Sequence, residues 1–216
     1  MTGLTPDEER ASLVLELLKG GIRDRKVIEV MERMPRDAFV PDAFRARAYQ
    51  NIALPIEFGQ TISQPFIVAY MTELLKLTGR ERVLEVGTGS GYQAAILSRL
   101  CRMVYTIERY PRLLREAKAR FNELKFDNIV TKIGDGSEGW EYQAPFDRIV
   151  STAAATKIPN YLVDQLKIGG ILVIPVGSDS FNQKLVRGTR EQSGIRYEEL
   201  LPVRFVPLVE GIAREE

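Results

Sequence analysis

The chain has 216 residues, of which 44% are hydrophobic and 27% are charged, so it can bury a substantial core and global disorder is excluded. Thirty Lys and Arg residues against 29 Asp and Glu residues give a net charge of +1, which provides no reason to expect a nucleic acid or an acidic membrane as partner. The chain contains no histidine and one cysteine, which excludes Ser-His-Asp and Cys-His catalysis, internal disulfides and most zinc and haem sites, so no metal is expected.

The first fifty residues are predicted to form short helices that cap the main domain. Thr5 is expected to cap a helix that ends at the two glycines at 20–21, and Asp24 is expected to cap a second helix. A third helical piece is predicted over about 42–49. The acidic segment 1–10 lacks the apolar core of a signal peptide, and no apolar run is long enough to span a bilayer. We therefore expect a cytoplasmic protein without a membrane partner.

Residues 54–65 have the composition of a loop, with two prolines, a glycine and several hydroxyl and amide side chains. An amphipathic helix is predicted after this loop, with Gly79 at its end. Taken on spacing alone, Ser63 is best interpreted as the cap of this helix, because serine often precedes a proline at a helix start.

A glycine turn at residues 82–91 organises the rest of the chain. The segment reads as a buried strand, a turn with three glycines, and a helix that opens at Tyr92, which is a place to bind a nucleotide-like ligand. Tyr92 occupies the position of the third glycine in the dinucleotide fingerprint, and no P-loop lysine follows. Glu85 would repel a pyrophosphate and suit a cation, which favours S-adenosylmethionine over NAD, FAD or ATP. The alternative is an ordinary strand–helix turn.

Two further acids are predicted at the ligand-binding edge of the sheet. Glu108 ends the next strand, about 20 residues beyond the turn, where a ribose-binding acid belongs. Asp135 follows the third strand and could accept a hydrogen bond from an adenine amino group. The alternatives are a solvated strand-end glutamate and an aspartate that only shapes its turn.

The alternation of strands and helices predicts an α/β fold with a doubly wound, mostly parallel sheet. Small residues at 152–154 would leave room for a ligand. A turn is predicted at 167–170, and an antiparallel pair of strands closes the sheet. The whole chain, 1–216, is predicted to be one domain, with a helical cap and substrate loop at 1–78, a cofactor-binding core at 79–180 and the C-terminal strands at 181–216.

The motifs resemble a known family. Residues 83–95 are similar to the first motif of class I S-adenosylmethionine-dependent methyltransferases. Residues 54–65, 134–140, 144–147 and 205–208 resemble protein-L-isoaspartate O-methyltransferases, and Gln60-Thr61-Ile62-Ser63 is the most specific match. The resemblance covers about residues 11–209.

The resemblance implies a seven-stranded Rossmann-like methyltransferase fold with an unusual order of its last two strands. It makes Ser63 the active-site serine, replacing the capping interpretation. It implies cofactor contacts by Glu85, Gly87, Thr88, Gly89, Ser90, Gly91, Glu108, Asp135 and Gly136. It implies substrate contacts by Ile56, Gln60, Thr61, Ile62, Gln64 and Val206. The sequence departs from the family at Glu57 and Phe58, where small residues are usual, which leaves the shape of the substrate lid open.

The implied reaction is transfer of a methyl group from S-adenosylmethionine to the free α-carboxyl of L-isoaspartyl residues in damaged proteins and peptides, which initiates repair. The expected partners are such proteins and peptides, and a monomer is expected. Two alternatives stay open from the sequence: a methyltransferase of the same fold acting on a small molecule, and a non-catalytic binding module that has kept the nucleotide fold.

Overall fold

The computed structural model describes residues 5–179 and 181–214; the first four residues of the acidic N-terminal segment lie outside it. The helices are α1 Pro6–Gly20, α2 Arg25–Arg33, α3 Pro65–Leu74, α4 Tyr92–Ser98, α5 Pro111–Glu123 and α6 Asn160–Asp164. The strands are β1 Leu54–Pro55, β2 Thr61–Ile62, β3 Arg82–Val86, β4 Met103–Glu108, β5 Ile129–Ile133, β6 Phe146–Ser151, β7 Leu166–Val176, β8 Gln183–Glu191 and β9 Gly194–Val203.

Seven strands form one sheet in the order β5-β4-β3-β6-β7-β8-β9. β3 to β7 pair in parallel, whereas β8 pairs antiparallel with β7 and β9 antiparallel with β8. The predicted α/β fold with an antiparallel C-terminal edge is therefore confirmed. The central strand β3 is buried along residues 83–86, as expected for a parallel strand that is covered on both faces.

The N-terminal helices pack on one another and on α3. The capping box of α1 is confirmed: the Thr5 amide donates to Glu8 Oε2 at 2.7 Å, and the Glu8 amide donates to Thr5 Oγ1 at 3.3 Å. The Asp24 carboxylate accepts from the first turn of α2. Leu17 and Met31 from these helices are buried in the main core, so the cap is continuous with the domain.

Two local predictions were wrong. Residues 54–65 contain the short antiparallel pair β1–β2, with Leu54 opposite Ile62, because two-residue strands carry no alternation that a pattern could reveal. The predicted turn at 167–170 lies inside β7, where the pairing with β6 shifts register and accommodates the extra residues as a bulge. By contrast, the helical piece predicted at about 42–49 is confirmed as a 3₁₀ helix, Asp42–Arg47.

No helix among the described residues has the length and apolar composition needed to cross a membrane. The lone cysteine, Cys101, is buried, and burial raises the pKa of its thiol to about 12. A buried thiol with a raised pKa is typical of an inert structural cysteine rather than a nucleophile.

Candidate functional site

A cavity lies at the carboxyl ends of the parallel strands, where open α/β sheets bind their ligands. Its floor and sides come from the ends of β3, β4 and β6 and from the turn after β5. The segment 206–209 covers it, and Gln60 and Thr61 close one side. The lining residues from these strand ends and the turns that follow them are Val86, Gly87, Gly89, Ile107, Glu108, Arg109, Tyr110, Gly136, Thr152 and Ala153. The small residues expected after β6 do leave this space open.

The glycine turn connects β3 to α4 and has no room for side chains at two of its positions. Gly87 has a φ of 92°, and a Cβ there would lie 2.4 Å from Thr152 Oγ1. Gly91 has a φ of 91°, and a Cβ there would lie 2.6 Å from the Phe121 ring. The amides of Gly87 and Thr88 donate to the Ile107 carbonyl, so the turn is fixed to the end of β4.

Not every predicted residue of the turn reaches the cavity. Gly87 and Gly89 line it, but the Thr88 hydroxyl pairs with the Thr106 hydroxyl at 2.6 Å behind the turn. Ser90 is buried, and its carbonyl accepts from Arg120 of α5. Gly91 serves as the close contact between turn and α5. The contacts predicted for Thr88, Ser90 and Gly91 therefore stay predictions, and their observed role is to shape the turn.

Glu108 faces the cavity from the end of β4. Its Oε2 accepts from the Gly89 amide at 2.8 Å, and its Oε1 accepts from the amides of Arg109 at 2.8 Å and Tyr110 at 3.0 Å. The carboxylate therefore ties the glycine turn to the start of the next loop, and Oε2, which accepts one hydrogen bond, keeps one acceptor site for a ligand. Among the described residues, no group of three metal-ligating side chains is suitable to hold a metal ion.

Glu85 lies behind the turn and is fully buried. Its Oε2 accepts from the Thr106 hydroxyl at 2.5 Å, while its Oε1 has no hydrogen-bond partner among the described residues. Burial raises the pKa of Glu85 to about 8; the nearby Glu108 charge adds to this, and the Thr106 hydrogen bond offsets only part of it. Glu85 does not line the cavity, so the predicted attraction of Glu85 for a cation stays a prediction.

This raised pKa makes stability depend on pH. Between an unfolded pKa of 4.5 and a folded pKa of about 8, the folded state keeps a proton that the unfolded state loses, so the free energy of unfolding falls as pH rises. Each pKa unit is worth about 1.4 kcal/mol. We expect Glu85→Gln, which is neutral at every pH, to gain stability relative to wild type by a few kcal/mol between about pH 5 and pH 9 in urea titrations.

The matched control is Glu198→Gln, because Glu198 lies exposed on β9. This control should show no gain in stability comparable to that of Glu85→Gln. A Glu85→Gln difference that does not change with pH would contradict the raised pKa.

Asp135 lies beside the cavity, and both oxygens of its carboxylate already accept hydrogen bonds from the protein. Its Oδ1 accepts from the Ser137 amide and hydroxyl, and its Oδ2 accepts from the Gly211 amide at 2.6 Å. Burial alone would raise the pKa of Asp135, but the hydrogen bonds from Ser137 and Gly211 hold it below its ordinary value. Gly136 lines the cavity, and a Cβ there would lie 2.4 Å from a Val86 methyl group. The adenine contact of Asp135 stays a prediction.

Ser63 lies in a groove next to this cavity. Gln64, not Ser63, is the N-cap of α3, and the Asn51 side chain accepts from the Phe66 amide in the first turn. The capping interpretation of Ser63 was therefore wrong, because Pro65 opens the helix one position too late for Ser63 to cap it. Thr61 lines both the groove and the cavity. The groove is lined by Ala53, Thr61, Ser63, Gln64, Ile67, Phe181, Pro202, Val203, Arg204 and Phe205.

The remaining predicted substrate residues lie around this junction. Gln60 lines the cavity, and so does Val206 in the segment that covers it. Ile56 is half-buried near Gly89. Ile62, by contrast, is buried in the main core, so its side chain supports the loop from beneath. Substrate contacts at these positions stay predictions.

The lid at Glu57 and Phe58 is attached to the residues that follow Glu108. The Phe58 ring stacks on Tyr110 with centroids 5.0 Å apart and planes 17° apart. Glu57 forms a salt bridge with Arg112 of 2.9 Å. Phe58 adopts a left-handed backbone, φ 55° and ψ 31°, which costs a side chain about 1–2 kcal/mol. The two residues that depart from the family therefore make a specific contact at the rim of the cavity.

Sequence reasoning missed several lining residues. Arg109 and Tyr110 directly follow the predicted ribose-binding acid, and this adjacency was a usable signal. Thr152 was predicted only as a small residue, although its hydroxyl donates to the Gly87 carbonyl at 2.6 Å. No pattern indicated that Gly211 would reach Asp135 from 76 positions away.

Known proteins resemble this chain over most of its length. A family model described as protein-L-isoaspartate(D-aspartate) O-methyltransferase matches residues 8–213. A Parvibaculum lavamentivorans protein-L-isoaspartate O-methyltransferase is 57% identical over 97% of this chain and 95% of its own length. A solved protein-L-isoaspartate O-methyltransferase is 27% identical with a TM-score of 0.83, covering 92% of this chain and 65% of that one.

A Plasmodium falciparum structure, described as a beta-aspartate methyltransferase in complex with S-adenosyl-L-homocysteine, is 26% identical with a TM-score of 0.79 and covers 93% of this chain and 98% of that one. The family match spans nearly the whole chain, and the relatives include a curated protein at more than half identity. The chain therefore belongs to the protein-L-isoaspartate(D-aspartate) O-methyltransferase family, whose members are S-adenosylmethionine-dependent enzymes of protein repair.

Proposed function

We propose that this protein methylates the free α-carboxylate of L-isoaspartyl residues, with the cofactor in the cavity over the glycine turn and the substrate in the groove that holds Ser63. The observation that carries this proposal is the position of Thr61, which lines both spaces. A carboxylate held at Ser63 and a ligand held over Gly87 and Gly89 would meet at this residue.

The residues present fit S-adenosylmethionine. Glu108 offers one acceptor position for a ribose hydroxyl, and Gly87 and Gly89 line the cavity without side chains. The Glu108 carboxylate in the cavity wall provides negative potential that suits a cationic ligand. Val86, Ile107 and Leu208 provide apolar walls. When bound, the cofactor supplies a methyl group already activated by its sulfonium.

Because the cofactor activates the methyl group, the task of the protein is to align the substrate carboxylate with it and to exclude water. An α-carboxyl titrates at about 3.3–3.7, so the acceptor is ionised near neutral pH and no general base is needed. This requirement agrees with a chain that contains no histidine. Ser63 would donate a hydrogen bond to one carboxylate oxygen and direct the other toward the cavity. Alignment of this kind can contribute about 7–11 kcal/mol in favourable systems.

The backbone near Ile56 and Val206 would hold the peptide as an added strand. The Ile56 amide already donates to the Gln60 carbonyl, and the Val206 carbonyl accepts from the Ala154 amide. An added strand would therefore pair with the other backbone groups of these residues. The product ester would cyclise without the enzyme, which begins repair.

Labelled S-adenosylmethionine incubated with paired aspartyl and isoaspartyl peptides tests the proposed function. We expect base-labile label in the isoaspartyl peptide alone. Label in a small molecule but in neither peptide would support the alternative methyltransferase, and cofactor binding without any transfer would support the binding module.

The lid contact predicts a change in how fast cofactor leaves. Phe58→Gly removes the stack on Tyr110, worth about 0.5–1.5 kcal/mol, and also relieves the left-handed backbone. We expect S-adenosylhomocysteine to dissociate up to about tenfold faster in stopped-flow measurements, with little change in melting temperature. Phe58→Leu, which keeps the backbone strain but loses the ring, should also release faster. Unchanged rates in both variants would exclude a role for the stack.

We also propose that the protein acts as a monomer in the cytoplasm, as the sequence analysis predicts. Light scattering over a concentration series tests the first statement, and a dimer at low concentration would contradict it. Fractionation of the source cells tests the second.

A further inference from the structure

A buried arginine lies beneath the loop that carries Ser63. Arg36 has no exposed surface; its Nε donates to the Ala48 carbonyl at 2.8 Å and its Nη2 to the Ser63 carbonyl at 2.9 Å. The Ile52 carbonyl lies 3.5 Å from the same Nη2. These acceptors are all backbone oxygens, and in the described part of the chain no carboxylate forms a salt bridge with this guanidinium.

The contacts of Arg36 join the substrate loop to the cofactor turn. Ile52 precedes β1 and Ser63 follows β2, so one guanidinium holds both ends of the β1–β2 hairpin. The guanidinium carbon also lies 4.6 Å from the ring centroid of Tyr92. Tyr92 is the first residue of α4, directly after the glycine turn. Arg36 therefore fixes the position of Ser63 relative to α4, the helix that follows the glycine turn.

Burying the charge of Arg36 lowers the stability of the fold, so we expect the guanidinium to have a role that an apolar side chain cannot fill. Burying a guanidinium without a carboxylate incurs a desolvation penalty, and Nη1 has no hydrogen-bond partner among the described residues. An apolar side chain of similar volume would fill the space without that penalty. The planar, rigid fork of arginine, however, fixes several carbonyls at set separations, which a lysine or an apolar side chain cannot do.

We infer that Arg36 is a positioning residue for Ser63, a step that rests on the proposed function: its hydrogen bond to the Ser63 carbonyl sets where the Ser63 hydroxyl meets the substrate carboxylate. Arg36 touches neither ligand. Its loss displaces the serine, and a displacement of about 1 Å by a change away from the reacting atoms can cost about 100-fold in rate.

The test compares Arg36→Met and Arg36→Lys with wild type on an isoaspartyl peptide at saturating S-adenosylmethionine. We expect kcat to fall by up to about 100-fold in Arg36→Met, with partial recovery in Arg36→Lys and an unchanged Kd for the cofactor. Arg148→Met is the matched control, because Arg148 also donates to backbone carbonyls, those of Leu75 and Asp147, but on the central sheet. It should lose stability and keep its kcat.

A double-mutant cycle separates positioning from general stability. If Arg36 acts through Ser63, adding Arg36→Lys to Ser63→Ala should lower kcat no further, whereas an independent structural effect would add. Additive effects, or equal losses of kcat in Arg36→Met and Arg148→Met, would overturn the inference. Because the conservative lysine variant enters the cycle, the result does not depend on Arg36→Met folding. Failure of the proposed function itself would appear as inactive wild-type protein on the isoaspartyl peptide.

Discussion

Ser63→Ala is expected to lower kcat by about ten- to a hundredfold, because a hydrogen bond to a charged group is worth about 1.5–3 kcal/mol. Ser63 lies in the groove that meets the cofactor cavity at Thr61, and its carbonyl is held by Arg36. Removing the hydroxyl leaves this backbone anchor in place. The substrate carboxylate would then enter the groove without the donor that orients it, so the loss falls on the transfer step.

The measurement is the steady-state rate on an isoaspartyl peptide, together with calorimetric titration of S-adenosylmethionine. Cofactor affinity should not change, since Ser63 is not part of the cavity wall. Ser63→Thr keeps a hydroxyl and should retain more activity than alanine. Ser98→Ala is the matched control, because the Ser98 hydroxyl donates only to the Ala95 carbonyl within α4. A wild-type kcat in Ser63→Ala would remove Ser63 from the mechanism.

Local patterns were sufficient to predict where the cavity lies in the fold. The apolar run of β3 followed by three glycines has few other structural solutions, and Glu108 was placed by its distance along the chain from that turn. The strand and the turn are each formed by residues close in sequence. The apolar run of β3 and the positive φ of the glycines are therefore sufficient to locate them. The Phe205 to Leu208 motif was available only as a family resemblance.

The parts that could not be predicted depend on contacts between distant residues. Arg36 lies between a proline and an aspartate, where no local pattern indicates burial, yet it is fully buried and donates to backbone carbonyls 12 and 27 positions away. The β1–β2 pair is too short for any periodicity. Glu85 was predicted at the ligand crevice, but the close pairing of Thr88 with Thr106 places it behind the turn. Such outcomes follow from packing, which a local pattern does not encode.

Glu108→Ala is expected to weaken S-adenosylmethionine binding by about a hundredfold or more, with a proportionate rise in the cofactor Kd. Two losses combine in this variant. The ribose acceptor disappears, and the amides of Gly89, Arg109 and Tyr110 lose the carboxylate that orients them. Each hydrogen bond to a charged group is worth about 1.5–3 kcal/mol, so two or more of them account for the expected change.

Glu108→Gln distinguishes charge from shape and should bind nearly as poorly as alanine. One oxygen of the carboxylate accepts from Gly89 and the other from Arg109 and Tyr110, so the amide nitrogen of glutamine must face a donor in either orientation. Asp147→Ala is the matched control, because Asp147 also accepts from a backbone amide, that of Arg82 at 2.8 Å, but at the opposite end of the strands. Calorimetry should give that control a wild-type Kd and a lower melting temperature. Equal cofactor affinity in Glu108→Ala and wild type would reject the ribose role and leave Glu108 as a clamp on the turn alone.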